Sequence, residues 1–298
     1  MKALDRHTAL IMKILVSFLL LLIASFSIFA QKREEDRQAN APIEPFQIIG
    51  NIYYVGAAEV TSFLVVTPKG HILIDAGFAE TVPQIIGNIK KLGFKPEDIK
   101  IMLNTQAHLD HAGGFAELKK LTGAKLYANP GDKALLEAGG KNDFAFGDRL
   151  TYEPVKVDRV ISDGEKISLG RITLTAVFTP GHTKGCTLYT YHLKEKDRTY
   201  SVAFVGSTTS PGYKFYGNEK YPNIIADFEY TFALMKKLKP DIFLASHGSF
   251  FDLLGKAEKI RVARDPNPFI DPESYKTFVA DTEKAFKEKL EKEKVAGK

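Results

Sequence analysis

Residues 105–111 read Thr-Gln-Ala-His-Leu-Asp-His, and no other stretch so narrows what this chain can fold into. A metal ion needs several lone pairs converging on one point. His108, Asp110 and His111 can supply two imidazoles and a carboxylate within four positions, if the backbone turns sharply after them. Gly113 and Gly114 follow at once and permit that turn. Imidazole nitrogen combined with carboxylate oxygen suits zinc or another borderline divalent ion better than calcium or magnesium. The fold must therefore present a metal site at the end of a buried segment.

The chain has 298 residues, 44% hydrophobic and 26% charged, an ordinary globular composition for one or two compact units. Ile14 to Ala30 is an uncharged apolar run, preceded by Lys2, Arg6 and Lys13 and followed by the polar stretch Gln31 to Asn40. That is the layout of a secretory signal peptide over residues 1–30, with Ser25, Ser27 and Ala30 as cleavage flanks, and an exported, periplasmic or secreted protein is expected. An uncleaved anchor is the alternative, although the run is slightly short for a span of roughly 20 residues. Cleavage removes Lys2, Arg6, Lys13 and Asp5 from the 41 basic and 36 acidic residues, leaving a net charge of +3 and no stable membrane anchor. So slight a balance excludes a nucleic-acid partner. The single cysteine, Cys186, excludes an intrachain disulfide.

Residues 31–45 are charged and carry two prolines, so they read as a flexible lead-in, with one domain over 46–298. Runs at Gln47 to Val55, Ser62 to Thr67 and His71 to Asp75 predict an antiparallel meander. Thr81 to Leu92 predicts a helix with Thr81 as cap and Pro83 in its first turn. Ile99 to Leu103 returns as a buried strand and delivers the histidine cluster. Phe115 to Leu121 and Asp132 to Glu137 look helical, while Ile167 to Leu169, Ile172 to Phe178, Thr187 to Tyr191 and Tyr200 to Val205 look like strands. Ile224 to Leu238 has helical periodicity, Ile242 to Ala245 is a short apolar strand, and Asp271-Pro272 opens a terminal helix. The second half thus repeats the strand-then-helix logic of the first.

His182 follows the strand ending at Phe178 in Thr-Pro-Gly-His-Thr, and His247 follows Ile242 to Ala245 in Ala-Ser-His-Gly. Each alone reads as a solvated loop residue or a cap. Three histidine sites sharing one context, a strand end opening into a glycine-bearing loop, point instead to one scaffolded centre. His7, His71 and His192 carry no chemistry.

His108-Leu109-Asp110-His111 with a distal Pro-Gly-His182-Thr and Ser-His247-Gly resembles the metallo-β-lactamase superfamily, over most of the chain after the leader. The resemblance implies an α/β fold, a four-layer αββα sandwich whose two sheets meet at a metal cleft. The first motif of that family usually carries a further histidine where this chain has Gln106. In thioesterase, lactonase and nuclease members a strand ends in Gly-Asp and the aspartate bridges two ions; here it ends in Gly206-Ser207. Thr208-Thr209-Ser210-Pro211-Gly212-Tyr213, His247 to Asp252 and Asn267 to Pro272 are similar to subclass B3 of the class B β-lactamases.

The resemblance assigns Asp110, His111 and His247 to one zinc ion, and His108 and His182, with Gln106 as a poorer third ligand, to another. An amide oxygen is a weaker donor than imidazole, so one or two zinc ions are implied as cofactor, with the Gln106 site the looser. It further implies that a zinc-bound hydroxide attacks the lactam carbonyl of a small β-lactam, with Asp110 as the catalytic residue that orients water and takes its proton, in a monomeric enzyme conferring antibiotic resistance. Ser207 and Thr209 match positions that contact substrate or a bound water; hydroxyls satisfying a turn are the plainer alternative. Asp75 is either a partner orienting a ligand histidine or a turn cap, and Asn142 to Arg149 either a loop over the cleft or aromatics packing the sheet. Cys186 is read as a buried structural residue and no ligand. Two other functions stay open: a lactone, thioester or phosphodiester hydrolase of the same fold, against which the absent Gly-Asp counts, and a zinc-binding relative without catalysis, supported by Gln106 alone.

Overall fold

Period-2 burial explains the architecture seen in the computed structural model, which describes residues 38–262 and 267–296. The first sheet runs β1 (Phe46–Ile49), β2 (Ile52–Tyr54), β3 (Phe63–Thr67), β4 (Gly70–Ile74), β5 (Ile99–Leu103), β6 (Lys125–Ala128) and β7 (Arg159–Val160), in that order. Along it, Phe63, Val65, Ile72, Ile74, Ile101 and Leu103 belong to one core cluster and the alternate residues Leu64, Leu73 and Met102 to another. Successive side chains of a strand point to opposite faces, so both faces of this sheet are covered.

One cover is helical. It comprises α1 (Val82–Lys91), α2 (Leu109–Ala112), α3 (Phe115–Thr122) and α4 (Pro130–Glu137); Val82, Ile85 and Ile89 of α1 and Phe115 and Leu118 of α3 pack with Leu64, Leu73 and Met102. The other cover is the second sheet, ordered β12 (Ile242–Ala245), β11 (Arg198–Val205), β10 (Thr187–Glu195), β9 (Ile172–Phe178) and β8 (Lys166–Leu169). Its outer side carries α5 (Ile224–Met235) and α7 (Pro272–Ala296), with α6 (Leu253–Val262) between β12 and α7 in the chain. Stacked Phe228, Phe232 and Phe286 close that layer, with centroids 5.0–6.1 Å apart. The result is the expected four-layer αββα sandwich. Among the described residues no helix is long and apolar enough to cross a membrane.

The meander β1 to β4 is antiparallel, whereas β4, β5, β6 and β7 pair in parallel and β12 joins β11 in parallel. A parallel partner requires a crossover, and α1, α2 with α3, α4 and α5 supply them. The ligand loops lie beyond the C-terminal ends of β5, β9 and β12.

Several expectations are corrected. The run Gln47 to Val55 is a hairpin, broken where Gly50 adopts φ 52° and Ile49 pairs with Ile52. Thr81 stands at the cap position of α1 without capping it; its hydroxyl donates to Asn40 Oδ1 at 2.6 Å and accepts from the Phe78 amide at 3.0 Å. α4 starts at Pro130, two residues early, because Asn129 accepts from Gly131 N at 2.8 Å and proline suits a first helical position. α5 ends at Met235, where the amides of Lys237 and Leu238 turn back to residues three earlier. The strands expected at Thr187 to Tyr191 and Tyr200 to Val205 extend to meet in a turn of only Lys196-Asp197, since pairing continues to Glu195 and Arg198. β6, β7 and α6 were not anticipated. Residues 38–45 belong to the stretch expected to be flexible, yet Ala39 O accepts from the amides of Glu59 and Val60 and Pro42 bridges Ala57. The proposed signal segment, residues 1–30, lies outside the described residues.

The glycines after the first motif act otherwise than expected. Gly113 and Gly114 have ordinary helical φ values of −58° and −83°, so the turn does not need their conformational freedom. What they provide is close approach: a Cβ on Gly114 would sit 2.3 Å from the Ala76 carbonyl oxygen, pressing α3 off the loop that carries Asp75. Gly114→Ala is expected to cost about 1–3 kcal/mol of stability, the usual penalty of overpacking, measured by urea unfolding.

Candidate metal centre

Two clusters of ligand atoms form where the loops after β5, β9 and β12 converge. In the first, His108 Nδ1 lies 3.0 Å from His182 Nε2. In the second, His111 Nε2 lies 3.3 Å from His247 Nε2 and 3.2 Å from Asp110 Oδ2, and His247 Nε2 is 3.6 Å from the same oxygen. Each cluster joins a residue of the first-sheet loop to one from the second sheet.

These spacings fit a metal ion. Nitrogen and oxygen ligands about 2.0–2.2 Å from a zinc ion at tetrahedral angles stand about 3.3 Å from one another. Asp110, His111 and His247 hold their ligand atoms within 4.8 Å of each other. The third expected donor of the first cluster, Gln106, is fully buried; its Nε2 donates to Ser246 Oγ at 3.4 Å while its Oε1 has no partner. A buried carbonyl oxygen without a donor is an acceptor awaiting a cation or a proton.

The protonation pattern agrees. The Thr209 carbonyl, 2.8 Å from His182 Nδ1, can only accept, so Nδ1 carries the proton and Nε2 keeps its lone pair. Burial, with the His108 charge second, holds His182 well below the usual imidazole range. Burial and then His111 bring His247 down to about 4, leaving it neutral at physiological pH. Burial alone would raise Asp110, but the His111 and His247 charges outweigh it and keep this carboxylate ionised far below its usual range. Burial lowers His111, yet Asp110 and Asp75 together push it up.

Behind the ligand atoms stand acceptors on other loops. Asp75 Oδ2 is 3.7 Å from His111 Nδ1, and the same carboxylate accepts from Thr105 N at 2.8 Å and Thr105 Oγ1 at 2.6 Å. It holds φ 58°, a left-handed conformation uncommon outside glycine. Asp75 thus clasps the loop through Thr105 while its other face looks onto His111. Glu59 Oε1 is 3.6 Å from His247 Nδ1, and Glu59 also accepts from Ser249 N at 2.9 Å. Neither Glu59 nor the Thr209 carbonyl was foreseen; both are contributed by loops distant in sequence.

Ser207 and Thr209 sit beside the first cluster, with their hydroxyls 3.0 Å apart and Thr209 N donating to Ser207 Oγ at 3.2 Å. The turn-satisfying role therefore holds for both. This segment is braced from outside by one face of α7: Thr208 Oγ1 donates to Thr282 Oγ1 at 2.9 Å, Lys289 Nζ to Ser210 O at 2.7 Å, and Phe215 N to Glu293 at 2.8 Å. Asn142 to Arg149 does lie against the site, Phe146 meeting the His108 ring edge-on with centroids 5.3 Å apart. Cys186 is buried, its thiol pushed up to about 12 mainly by burial and facing the Ser207 carbonyl at 3.4 Å. His71, in β4, packs against Phe94, and His192 lies along β10; His7 lies outside the described residues.

An αββα sandwich that gathers histidines and a carboxylate at the mouth of its two sheets presents the donor types of a metal-dependent hydrolase. The family model of the metallo-beta-lactamase superfamily matches residues 55–247, and the chain belongs to that superfamily. Among solved structures it is similar to the native FEZ-1 metallo-beta-lactamase of Legionella gormanii, with 40% identity and a TM-score of 0.84 over 86% of this chain and 98% of that one. BJP-1, a subclass B3 metallo-beta-lactamase of Bradyrhizobium japonicum, gives 39% identity and a TM-score of 0.82 over 88% and 99%. A curated relative, the hydroxyacylglutathione hydrolase GloC of Haemophilus influenzae, is 27% identical over 213 residues, 69% of this chain and 90% of that protein. The chain spans 42% of the length of another, a probable metallo-hydrolase of Burkholderia pseudomallei.

Proposed function

We propose that this superfamily hydrolase opens β-lactam rings, using zinc held by Gln106, His108 and His182 in one position and by Asp110, His111 and His247 in the other. The observation that carries the reading is Ser207, two residues past the end of β11: it puts a hydroxyl, paired with that of Thr209 beside the first cluster, where other superfamily members carry a bridging aspartate. Likeness to subclass B3 enzymes at about 40% identity over most of both chains supports it. Bound zinc supplies Lewis-acid polarisation of a carbonyl and acidifies a coordinated water.

The chain's own groups do the rest. Asp110, with its side chain 30% exposed at the cleft, orients a water and accepts its proton. Ser207 and Thr209 offer hydroxyls to the substrate carboxylate once they part from each other. Phe146 and Tyr213, with centroids 5.8 Å apart, wall the first cluster and exclude solvent. We further propose that the protein is an exported monomer acting on a small molecule, on the strength of its apolar leader and slight charge.

A second reading, thioester hydrolysis, is favoured by the identity to a hydroxyacylglutathione hydrolase. One assay separates them. Purified protein should turn over a chromogenic cephalosporin or a carbapenem, stop on chelation and resume with zinc, while leaving a hydroxyacylglutathione thioester intact. Turnover of the thioester alone would transfer the reading to that class; zinc content without either turnover would refute both.

A further inference from the structure

The loop between α4 and β7 holds a buried carboxylate that neither ligand cluster uses. Asp143 is 5% exposed. Its Oδ1 accepts from the amides of Ala145 and Phe146, both at 2.7 Å, and its backbone N and O pair with Gly147 at 3.1 and 3.0 Å. Its Oδ2 has no hydrogen-bond partner and faces His108 Nε2 at 3.6 Å, an atom that has none either. A buried donor or acceptor left unpaired is unfavourable, so two of them facing each other form a bond that a small shift closes.

The loop is seated for that contact. Phe144 meets Tyr213 and Tyr221 with centroids 5.0 and 4.9 Å away, and Lys220 Nζ donates to Asn142 Oδ1 at 2.7 Å. The two amides on Oδ1 fix the side chain so that Oδ2 cannot turn from His108.

We propose that Asp143 is a positioning residue for the first cluster: it accepts a hydrogen bond from His108 Nε2–H, which keeps the proton on that nitrogen, aims the Nδ1 lone pair at the point shared with His182 Nε2, and lends that cluster the negative charge of an ionised carboxylate. The inference rests on the metal-centre reading above. What singles out Asp143 is an asymmetry between the clusters. The second contains a carboxylate of its own, Asp110, and has Asp75 and Glu59 behind His111 and His247. The first has no carboxylate among its candidate ligands, one of which is the amide of Gln106. A carboxylate behind a ligating histidine raises its basicity. Asp143 is thus the place where this chain compensates for a weak amide donor.

The test is a titration of metal-free protein with cobalt(II), and with zinc against a chromophoric chelator. Asp143→Asn keeps an oxygen for the amides of Ala145 and Phe146 and removes the charge, so the thermal midpoint of the metal-free protein should not move. Of the two binding steps, that of the His108 cluster should weaken roughly 10–100-fold, with altered cobalt absorption, and the other should stay as in the wild type. In a Gln106→His background, where imidazole replaces the amide, the loss from Asp143→Asn should shrink, because the two positions are coupled. Unchanged binding, an equal loss at both steps, or an undiminished loss beside Gln106→His would overturn the proposal. A wild type that binds two ions while Asp143→Asn matches it refutes the role of Asp143 alone; a wild type that binds none refutes the metal centre and this inference together.

Discussion

Asp110→Asn is expected to lower kcat for β-lactam hydrolysis by about 100-fold or more, the range lost when a positioned base is removed. The carboxylate lies 3.2 Å from His111 Nε2 and 3.6 Å from His247 Nε2, and these neighbours hold it ionised well below the usual carboxylate range. The amide has nearly the same shape, yet it can neither take a proton nor bring negative charge to the second cluster. Steady-state kinetics with metal content measured on the same samples checks this. A variant retaining its metal and running within about tenfold of the wild type would remove Asp110 from the proton-transfer role, since that is below what general-base catalysis contributes.

The second large effect concerns Asp132, outside the ligand set. It is fully buried and takes hydrogen bonds from Asn104 Nδ2 at 3.1 Å, Thr183 Oγ1 at 3.0 Å and Gly185 N at 2.9 Å. Asn104 precedes the first motif and Thr183 follows His182, so this one carboxylate ties together the loops that carry the first cluster. Asp132→Ala orphans three buried donors and is expected to destabilise the fold on the order of 4 kcal/mol, each unsatisfied group costing about 1–3 kcal/mol with incomplete additivity. Urea unfolding measures it, and a loss under about 1 kcal/mol would show that the donors find other partners. A pH signature accompanies it. Burial raises the Asp132 carboxyl to about 6, above its value in the unfolded chain. Its contribution is therefore full below about pH 4 and declines as the pH rises through 6, and Asp132→Ala should erase that segment of the stability profile.

How much of this was legible in the chain follows from where each residue acts. Gln106, His108, Asp110 and His111 sit together in sequence, and His182 and His247 share their context of strand end and glycine loop, so the convergence of the histidines and Asp110 could be read before any coordinates. Most strands and helices could be read too, because alternation and turn residues are local, whereas their stacking as a sandwich followed from the family resemblance. Asp143, Glu59, Asp132 and the Thr209 carbonyl could not. Each works through a partner distant along the chain, and a lone carboxylate in a polar loop looks the same whether it faces solvent or an imidazole. Phe144 and Phe146 flanked the one useful hint, a loop too aromatic to be mere surface. β6 and β7 were missed because Lys125 to Ala128 has no β-branched residue and Arg159-Val160 is only two residues long.

The contacts of α7 with the segment after β11 bear on how specificity could be transplanted. Ser207 to Asn223 loops out of a parallel crossover whose ends are pinned by the register of β11 with β12. Its shape, however, is also written in Thr282, Lys289 and Glu293, which lie on one face of a helix some seventy residues later. A graft of this loop into another scaffold would carry only half of its instructions; the helical face must travel with it.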